Sequence, residues 1–402
     1  MSGAKSVAQA DIKQRRDDLV ALSHRIHATP ELGFEETRAC AWLAEFLSAA
    51  GMSVQTGICD LPTAFVARSG SGPLHIGICA EYDALPGLGH ACGHNIIAAM
   101  AAGAGIAAAR VADDVGLSIT VIGTPAEEVG DAGGKILLLE RGAFDAFHAA
   151  MMVHPTPFDA VAPKALAASA FDVRYTGRDA HAAAFPELGI NALDALTVAQ
   201  TAIGLLRQHL PPKTRVHGII TKGGDAPNII PSHTAARYIV RAETIEELEK
   251  LRQKVLRCFE SGALASGAKL DVIGGSKPYA ELRHDSALAA LYQHNAEALG
   301  RKFPDLTQML EKAAASTDMG NVSLALPSIH PFIGIDSLPA VNHQPEFTAC
   351  CARPPADDAL IDGATAMAWT VIDAATDANV RERLLLRKRA PASQGFKSQP
   401  KS

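Results

Sequence analysis

Residues 79–95 read Cys-Ala-Glu-Tyr-Asp-Ala-Leu-Pro-Gly-Leu-Gly-His-Ala-Cys-Gly-His-Asn. The apolar run before this stretch, at 75–80, has the length of a buried strand, and the small-residue run at 95–109 has the length of a helix. The polar stretch between them therefore sits at the carboxyl edge of a sheet, where α/β proteins place their ligands. Cys92 and His94 are separated by one glycine, so a thiolate and an imidazole can reach a single ion. Both are good ligands for zinc or similar divalent ions. A Cys-x-His pair alone is a weak signal, and its weight depends on what the rest of the chain brings to the same edge.

Working outward, residues 9–28 read as a charged amphipathic helix stopped by Pro30, and 35–50 as a second closed by Gly51. Apolar runs follow at 61–67 and 75–80, then the helix 95–109, a buried strand 117–123, a helix 134–141 and a strand 148–153. This alternation predicts an α/β domain whose sheet is flanked by helices. After His154 a proline-punctuated loop (Pro155, Pro157, Pro163) leads into a different pattern. Residues 167–175 alternate, with Phe171, Val173 and Tyr175 on one face and Asp172 and Arg174 on the other. A helix at 191–210, strands at 215–222 and 234–242, a helix at 245–260 and a strand at 269–273 complete a βαββαβ unit of ferredoxin-like order. Beyond Gly274–Gly275 come helices at 285–299 and 305–313, an apolar strand at 331–335 and a helix at 357–376. The expected layout is one α/β domain formed by 1–165 and 275–385, interrupted by a second domain at 166–274, with a disordered tail at 386–402.

Composition bounds the function. The 402 residues carry 37 Lys plus Arg against 43 Asp plus Glu, a net charge of −6. Residues 381–402 alone hold a net +6, so the body is at −12, which argues against a nucleic-acid-binding surface. The polar start lacks the apolar core of a secretory signal, and the longest apolar run, Ile96–Ala109, is too short to span a bilayer. Seven irregularly spaced cysteines read as reduced thiols. A soluble, cytoplasmic protein without membrane contact is expected.

Two more predicted strand ends carry ligand chemistry. Strand 117–123 runs into Thr124-Pro-Ala-Glu127-Glu128, and strand 148–153 into His154-Pro155. In a parallel sheet successive strand ends lie side by side, so these groups can converge, and buried adjacent acids need a cation or a proton. Each also has an ordinary explanation: acids lining a helix N-terminus, or a core histidine. The combination favours a metal site, because every strand end offers a ligand type and none a basic pocket. The glycines of Gly87-Leu-Gly89-His-Ala-Cys-Gly93 are spaced GxGxxxG, not GxGxxG, and neither a Walker-type loop nor a GxSxG elbow is present.

These residues resemble the zinc/manganese metallopeptidase and amidohydrolase family that includes carboxypeptidase G, aminoacylases and hippurate hydrolases. The matching pieces are His24–Glu35, Glu81–Pro86, His90-Ala-Cys-Gly-His94, Pro125-Ala-Glu-Glu128, Met152-Val-His154-Pro, Gly177-Arg-Asp-Ala-His181, Pro227-Asn-Ile-Ile-Pro231 and Asn342-His343, in the family's order. Asn95 and the run Ser316-Thr-Asp-Met-Gly-Asn-Val-Ser323, with Pro327 and His330-Pro, resemble the branch of the p-aminobenzoyl-glutamate hydrolases and the β-alanyl-lysine dipeptidases.

The resemblance implies a catalytic domain with a mixed sheet, interrupted by a lid that dimerises. It implies two divalent ions, zinc or manganese, bridged by Cys92 and completed by His94, Glu128, His154 and His343. Asp83 and His90 would support these ligands from behind. Glu127 would be the general base that takes a proton from a bridging water. His181, otherwise an ordinary loop histidine, would reach the partner subunit's site and stabilise the oxyanion, while Asn228 and Arg241 would bind a substrate carboxylate. The implied activity is hydrolysis of the amide of an N-acyl or N-aroyl amino acid or a dipeptide. The alternatives are another C–N bond, such as an arylamine or amidine, or a non-catalytic member of the fold.

Overall fold

The computed structural model describes residues 3–306 and 315–386. The chain opens with α1 (Gly3–Gln14) and α2 (Arg16–His27), where one helix over 9–28 is expected. The turn falls at Arg15, inside the wholly polar stretch Lys13-Gln14-Arg15-Arg16, where no apolar side chain ties the axis to the core. Each half then buries its own residues, Ala8 and Ile12 from α1 and Leu19, Leu22 and Ile26 from α2. Helix α3 (Thr37–Ala49) leads to β1 (Ser53–Thr56), an exposed polar strand that hydrophobic patterning does not reveal.

Strands β2 (Phe65–Ser69), β3 (Leu74–Ala80), β4 (Leu117–Gly123), β5 (Ala149–Met151) and β11 (Ser328–Ile329) join β1 in one mixed sheet of order β1-β2-β4-β3-β5-β11. The pairs from β4 to β11 are parallel, and Ala80 at the end of β3 lies opposite Gly123 at the end of β4. The predicted strand at 148–153 is shorter: β5 stops at Met151, and β6 (His154–Thr156) pairs instead with β12 (Phe332–Gly334) in a small parallel ribbon. His154 therefore begins a strand that has left the main sheet.

Helix α4 (His94–Ala109) follows the ligand-bearing loop and packs on β3 and β4, with α2 and α11 (Pro354–Thr376) over it. A helix covered on all sides must be apolar all round, and every residue from His94 to Ala108 is buried. Its small residues permit close approach: a Cβ at Gly105 would lie 2.1 Å from Val121 Cγ2 of β4. Helix α5 (Gly134–Glu140) covers the opposite face near β4, and α8 (Ser286–Ala298) packs against α11.

The inserted βαββαβ unit has β7 (Ala167–Thr176), α6 (Ala192–Leu206), β8 (Arg215–Lys222), β9 (His233–Ala242), α7 (Ile245–Ser266) and β10 (Lys269–Gly274). Its sheet is antiparallel throughout, in the order β10-β7-β9-β8. The core is its own: Phe171, Val173 and Tyr175 from β7 meet Leu196 and Ile203 of α6 and Val255 and Phe259 of α7. Helix α6 ends four residues before the predicted 210, as a 3₁₀ turn at Arg207–His209. Helix α7 runs six residues past 260, to a left-handed Gly267. The short helices α9 (Met319–Ala325), α10 (Pro345–Cys350) and α12 (Ala378–Leu385) have too few turns to show a periodicity in sequence. Most of the helix expected at 305–313, and all but one residue of the tail expected at 386–402, lie outside the described residues. Among the described residues no helix is long and apolar enough to cross a membrane.

Gly105→Ala tests the α4–β4 contact. Alanine gains about 1 kcal/mol of helix propensity, but overpacking against the stiff β-branched Val121 costs about 1–3 kcal/mol. We expect a lower thermal midpoint, where propensity alone would raise it.

Candidate active site

The loops after β3 and β4 are laced together at the sheet edge. Thr124 N–H donates to Ala80 C=O at 2.8 Å, and Glu128 N–H to Asp83 Oδ2 at 2.9 Å. Gly93, at φ +80°, turns the chain into α4, and a Cβ there would come within 2.4 Å of Pro155 Cγ. Ala126 (φ 58°) and His343 (φ 70°) hold left-handed conformations without being glycine, strain of the kind that collects at functional sites. His343 N–H donates to Ala91 C=O at 2.8 Å, which docks the C-terminal loop on the Cys92 turn.

His94 Nδ1 lies 2.9 Å from Asp83 Oδ1, a partner that holds a proton on Nδ1 and turns Nε2 toward the site. Among the described residues Nε2 has no hydrogen-bond partner although it is fully buried, and Glu128 Oε1 has only the His343 ring beside it. Around them, Cys92, His94 and His154 offer ligand atoms within 4.8 Å of one another, as do Cys92, Glu128 and His343, and His94, Glu127 and Glu128. Cys92 Sγ is 3.4 Å from His154 Nε2, and His343 Nε2 is 3.5 Å from Glu128 Oε1. Two soft-to-borderline donors with orphaned imidazole and carboxylate atoms fit a divalent transition metal.

Burial and like charge set the electrostatics of the site. Burial, and then Glu128, push the Cys92 thiol well above its usual value. Burial, then Glu81, Glu128 and Asp318, push the Glu127 carboxyl well up. Burial takes His154 down to about 4, which keeps its ring neutral. Burial opposes charge on His94 too, but Asp83 and Glu81 outweigh it and raise that group. A bound dication reverses the logic at the thiol and the carboxylates.

The other expected site residues are placed as follows. His90 is buried, 6.3 Å from the His27 ring, and burial with the charges of His94 and His27 takes it to about 3. His181 is exposed on the lid, its Nδ1 accepting from Ala184 N–H at 3.1 Å, and Asn228 is beside it, its C=O accepting from Ala182 N–H. Neither belongs to the ligand groups above. Arg241, on β9, is half-buried, donates to Ser316 Oγ at 2.6 Å, and its charge acts on His343. Asn95 faces the core, donating to Ser23 Oγ and to Cys351 C=O, and the second is a bond that an ionised aspartate could not make.

Several buried groups received no role in the sequence reading. Glu81 Oε2 is 3.4 Å from His94 Nε2, and its place two residues before Asp83 at a strand end was a usable signal. Lys135 and Asp318 are wholly buried, and only the isolated cation in Gly-Lys-Ile-Leu-Leu-Leu hinted at the first. Tyr279 donates to Glu127 C=O at 2.5 Å and accepts from Gly130 N–H at 3.2 Å, a tertiary contact with no local signature.

Asp83→Asn should weaken divalent-ion affinity about 10- to 100-fold, because the ring it orients presents Nε2 to the site. Titration with Mn(II) or Zn(II) under a competing chelator reads this directly.

Comparison with known proteins agrees with this picture. Residues 167–266 match the peptidase dimerisation domain model. The Xaa-Arg dipeptidase of Mus musculus is 40% identical over 397 residues, covering 92% of this chain and 91% of the relative. A p-aminobenzoyl-glutamate hydrolase chain of Escherichia coli is 34% identical over 274 residues, 63% of this chain and 56% of that protein. A crystal structure of a dinuclear metal-binding peptidase of the M20 family from Bacillus subtilis superposes with a TM-score of 0.66 at 20% identity, over 90% of this chain and 98% of that one. With a catalytic α/β domain, an inserted lid and full-length similarity to a dipeptidase, the chain belongs to the M20 family of metallopeptidases and amidohydrolases, hydrolases of amide bonds.

Proposed function

We propose that the protein hydrolyses the amide bond of a dipeptide or of an N-acyl or N-aroyl amino acid, using two divalent ions, zinc or manganese, in each protomer. The observation that carries this reading is the sharing of Cys92 between two ligand groups, one with His94 and His154 and one with Glu128 and His343. A thiolate common to both sets is the arrangement that serves a pair of ions. Such a pair supplies Lewis acidity at the substrate carbonyl and a water activated for attack.

The chain's own residues do the rest. Asp83 fixes the His94 ring, and His90 packs behind the Cys92 turn. Glu127, which holds no ligand position in the two Cys92 groups, takes the proton of the attacking water at its carboxylate and passes it to the leaving nitrogen. The half-buried Arg241 cation, with Asn228 of the lid, faces the substrate carboxylate. Both relatives fit a substrate with an amino acid on the amine side, one named for Xaa-Arg dipeptides and one for p-aminobenzoyl-glutamate.

His181 stands apart from the ligand groups of its own chain, which supports a role as oxyanion donor in the partner's site within a homodimer. The dimerisation-domain match supports the same assembly, as does the exposed edge strand β8 with Ile219 and Ile220 uncovered. The seven free cysteines suit a reducing cytoplasm.

The test is hydrolysis of Xaa-Arg and Xaa-Lys dipeptides, p-aminobenzoyl-glutamate and hippurate by protein reconstituted with Mn(II) or Zn(II). Turnover of one class names the substrate, and a fully loaded protein that cleaves none of them rejects amide hydrolysis of these classes. Glu127→Gln should keep both ions and lose turnover by about 100- to 10,000-fold, the usual span for a general base. Hybrid dimers co-expressed from Glu127→Gln and His181→Ala chains carry one site with both groups intact. They should recover about half the activity of the parent dimer while each parent variant stays inactive. Inactive hybrids would place His181 outside the partner's site.

A further inference from the structure

One cluster beside the candidate metal centre enters the mechanism above only through Glu127. Glu81, Glu127 and Asp318 bring carboxylate oxygens within 4.8 Å of one another, and all three are buried. Three ionised acids at that spacing in a dry site repel one another strongly. The cluster is not empty of cations. Lys135, the second residue of α5, extends into it with 0% exposure. Its Nζ lies 2.5 Å from Asp318 Oδ1 and 2.5 Å from Glu81 Oε1, and its backbone N–H donates to Asp318 Oδ2 at 2.9 Å. Asp318 thus grips both ends of the lysine. The charge of Glu127 acts on Lys135 as well.

We propose that Lys135 is a built-in cation: its ammonium fills a three-carboxylate pocket of Glu81, Glu127 and Asp318, the place a further divalent ion would take, and through Glu81 and Asp318 it positions Glu127. Four features carry this. The pocket has the donor set and compactness of an ion site. The ammonium pairs directly with two of the three carboxylates, and the charge of the third, Glu127, acts on it. Glu81 links the pocket to the metal centre, one oxygen on Lys135 and the other 3.4 Å from His94 Nε2. Glu127 belongs both to this group and to the one with His94 and Glu128, so what fills the pocket decides where its carboxylate lies. A lysine cannot leave with the solvent or be chelated, so the arrangement is fixed by the fold.

The inference rests on the proposed hydrolase for its kinetic side, while ion counting tests it without turnover. Mn(II) is titrated into the metal-free parent and into Lys135→Ala, and bound ions per chain are counted by elemental analysis. Lys135→Ala is expected to bind one more ion than the parent, and n-propylammonium, which replaces the deleted side chain, is expected to displace it. An equal count in the two folded proteins overturns the proposal. Should Lys135→Ala be unfolded without added cations, Mn(II) or propylammonium is expected to restore the native circular-dichroism spectrum. A chain that neither cation rescues overturns it. On the best substrate, Lys135→Ala should lose at least about tenfold in kcat with KM within about threefold, and propylammonium should restore kcat. A parent with its ions but no turnover on any substrate counts against the proposed function alone, since the ion count stands by itself.

Discussion

Burying like charges at one end of a sheet is the constraint around which this molecule is organised. Glu36, Glu81, Asp83, Glu127 and Asp318 are all buried within the loops that follow β3 and β4 and the elements packed on them. Desolvation penalises every one, so each needs a specific compensation. Asp83 has the His94 ring and the Glu128 N–H. Asp318 and Glu81 share Lys135. Glu36 accepts from Ala126 N–H at 2.7 Å, and burial with the nearby Asp83 still takes it up to about 7, so that it shares in holding a proton near neutrality. Among the described residues Glu127 has no ion pair of its own, and burial, with Glu81, Glu128 and Asp318 nearby, drives its carboxyl well upward.

The loop that carries Glu127 is held from both halves of the chain. Tyr279, on the segment returning from the lid, donates to Glu127 C=O, and Asp131 of the same loop accepts from Gly275 and Lys277 N–H. Lys277 also pairs with Glu140 of α5, the helix that holds Lys135. Arg241 of the lid reaches Ser316, two residues from Asp318. The return path from the lid is therefore fastened to the Glu127 loop and to the helix that carries Lys135. A frame of this kind holds the Glu127 loop in place, and it makes the position of the lid and the geometry of the site one structural problem.

The catalytic half tolerates its polar edge because the rest of it is packed without compromise. Helix α4 is made of small and aliphatic residues on every side, and the side chains of Leu19, Val121 and Ala364 fill the spaces its glycines leave. Dense packing in stiff rotamers resists collapse of the edge onto its own charges. His94, the first residue of α4, inherits that rigidity, and so does Asn95, which anchors the same turn to Ser23 and Cys351.

Local pattern alone determined a good deal here. Strand 117–123, strand 215–222 and the small-residue helix after His94 were legible because apolar runs bounded by polar turns leave few alternatives, and the βαββαβ order of the insert followed from its alternation. The Cys-x-His, Glu-Glu and His-Pro elements marked the sheet edge because ligand chemistry is concentrated in a few residue types. The break at Arg15, the polar edge strand β1 and the short helices near 320, 347 and 380 stayed hidden, since none has an apolar period long enough to read. The counter-ions were decided only by tertiary structure. Lys135 and Asp318 lie 183 residues apart, and Tyr279 is 152 residues from Glu127. Charge compensation in a buried site acts through space over a few ångströms, and a chain written in one dimension does not record which distant residue folding will bring there.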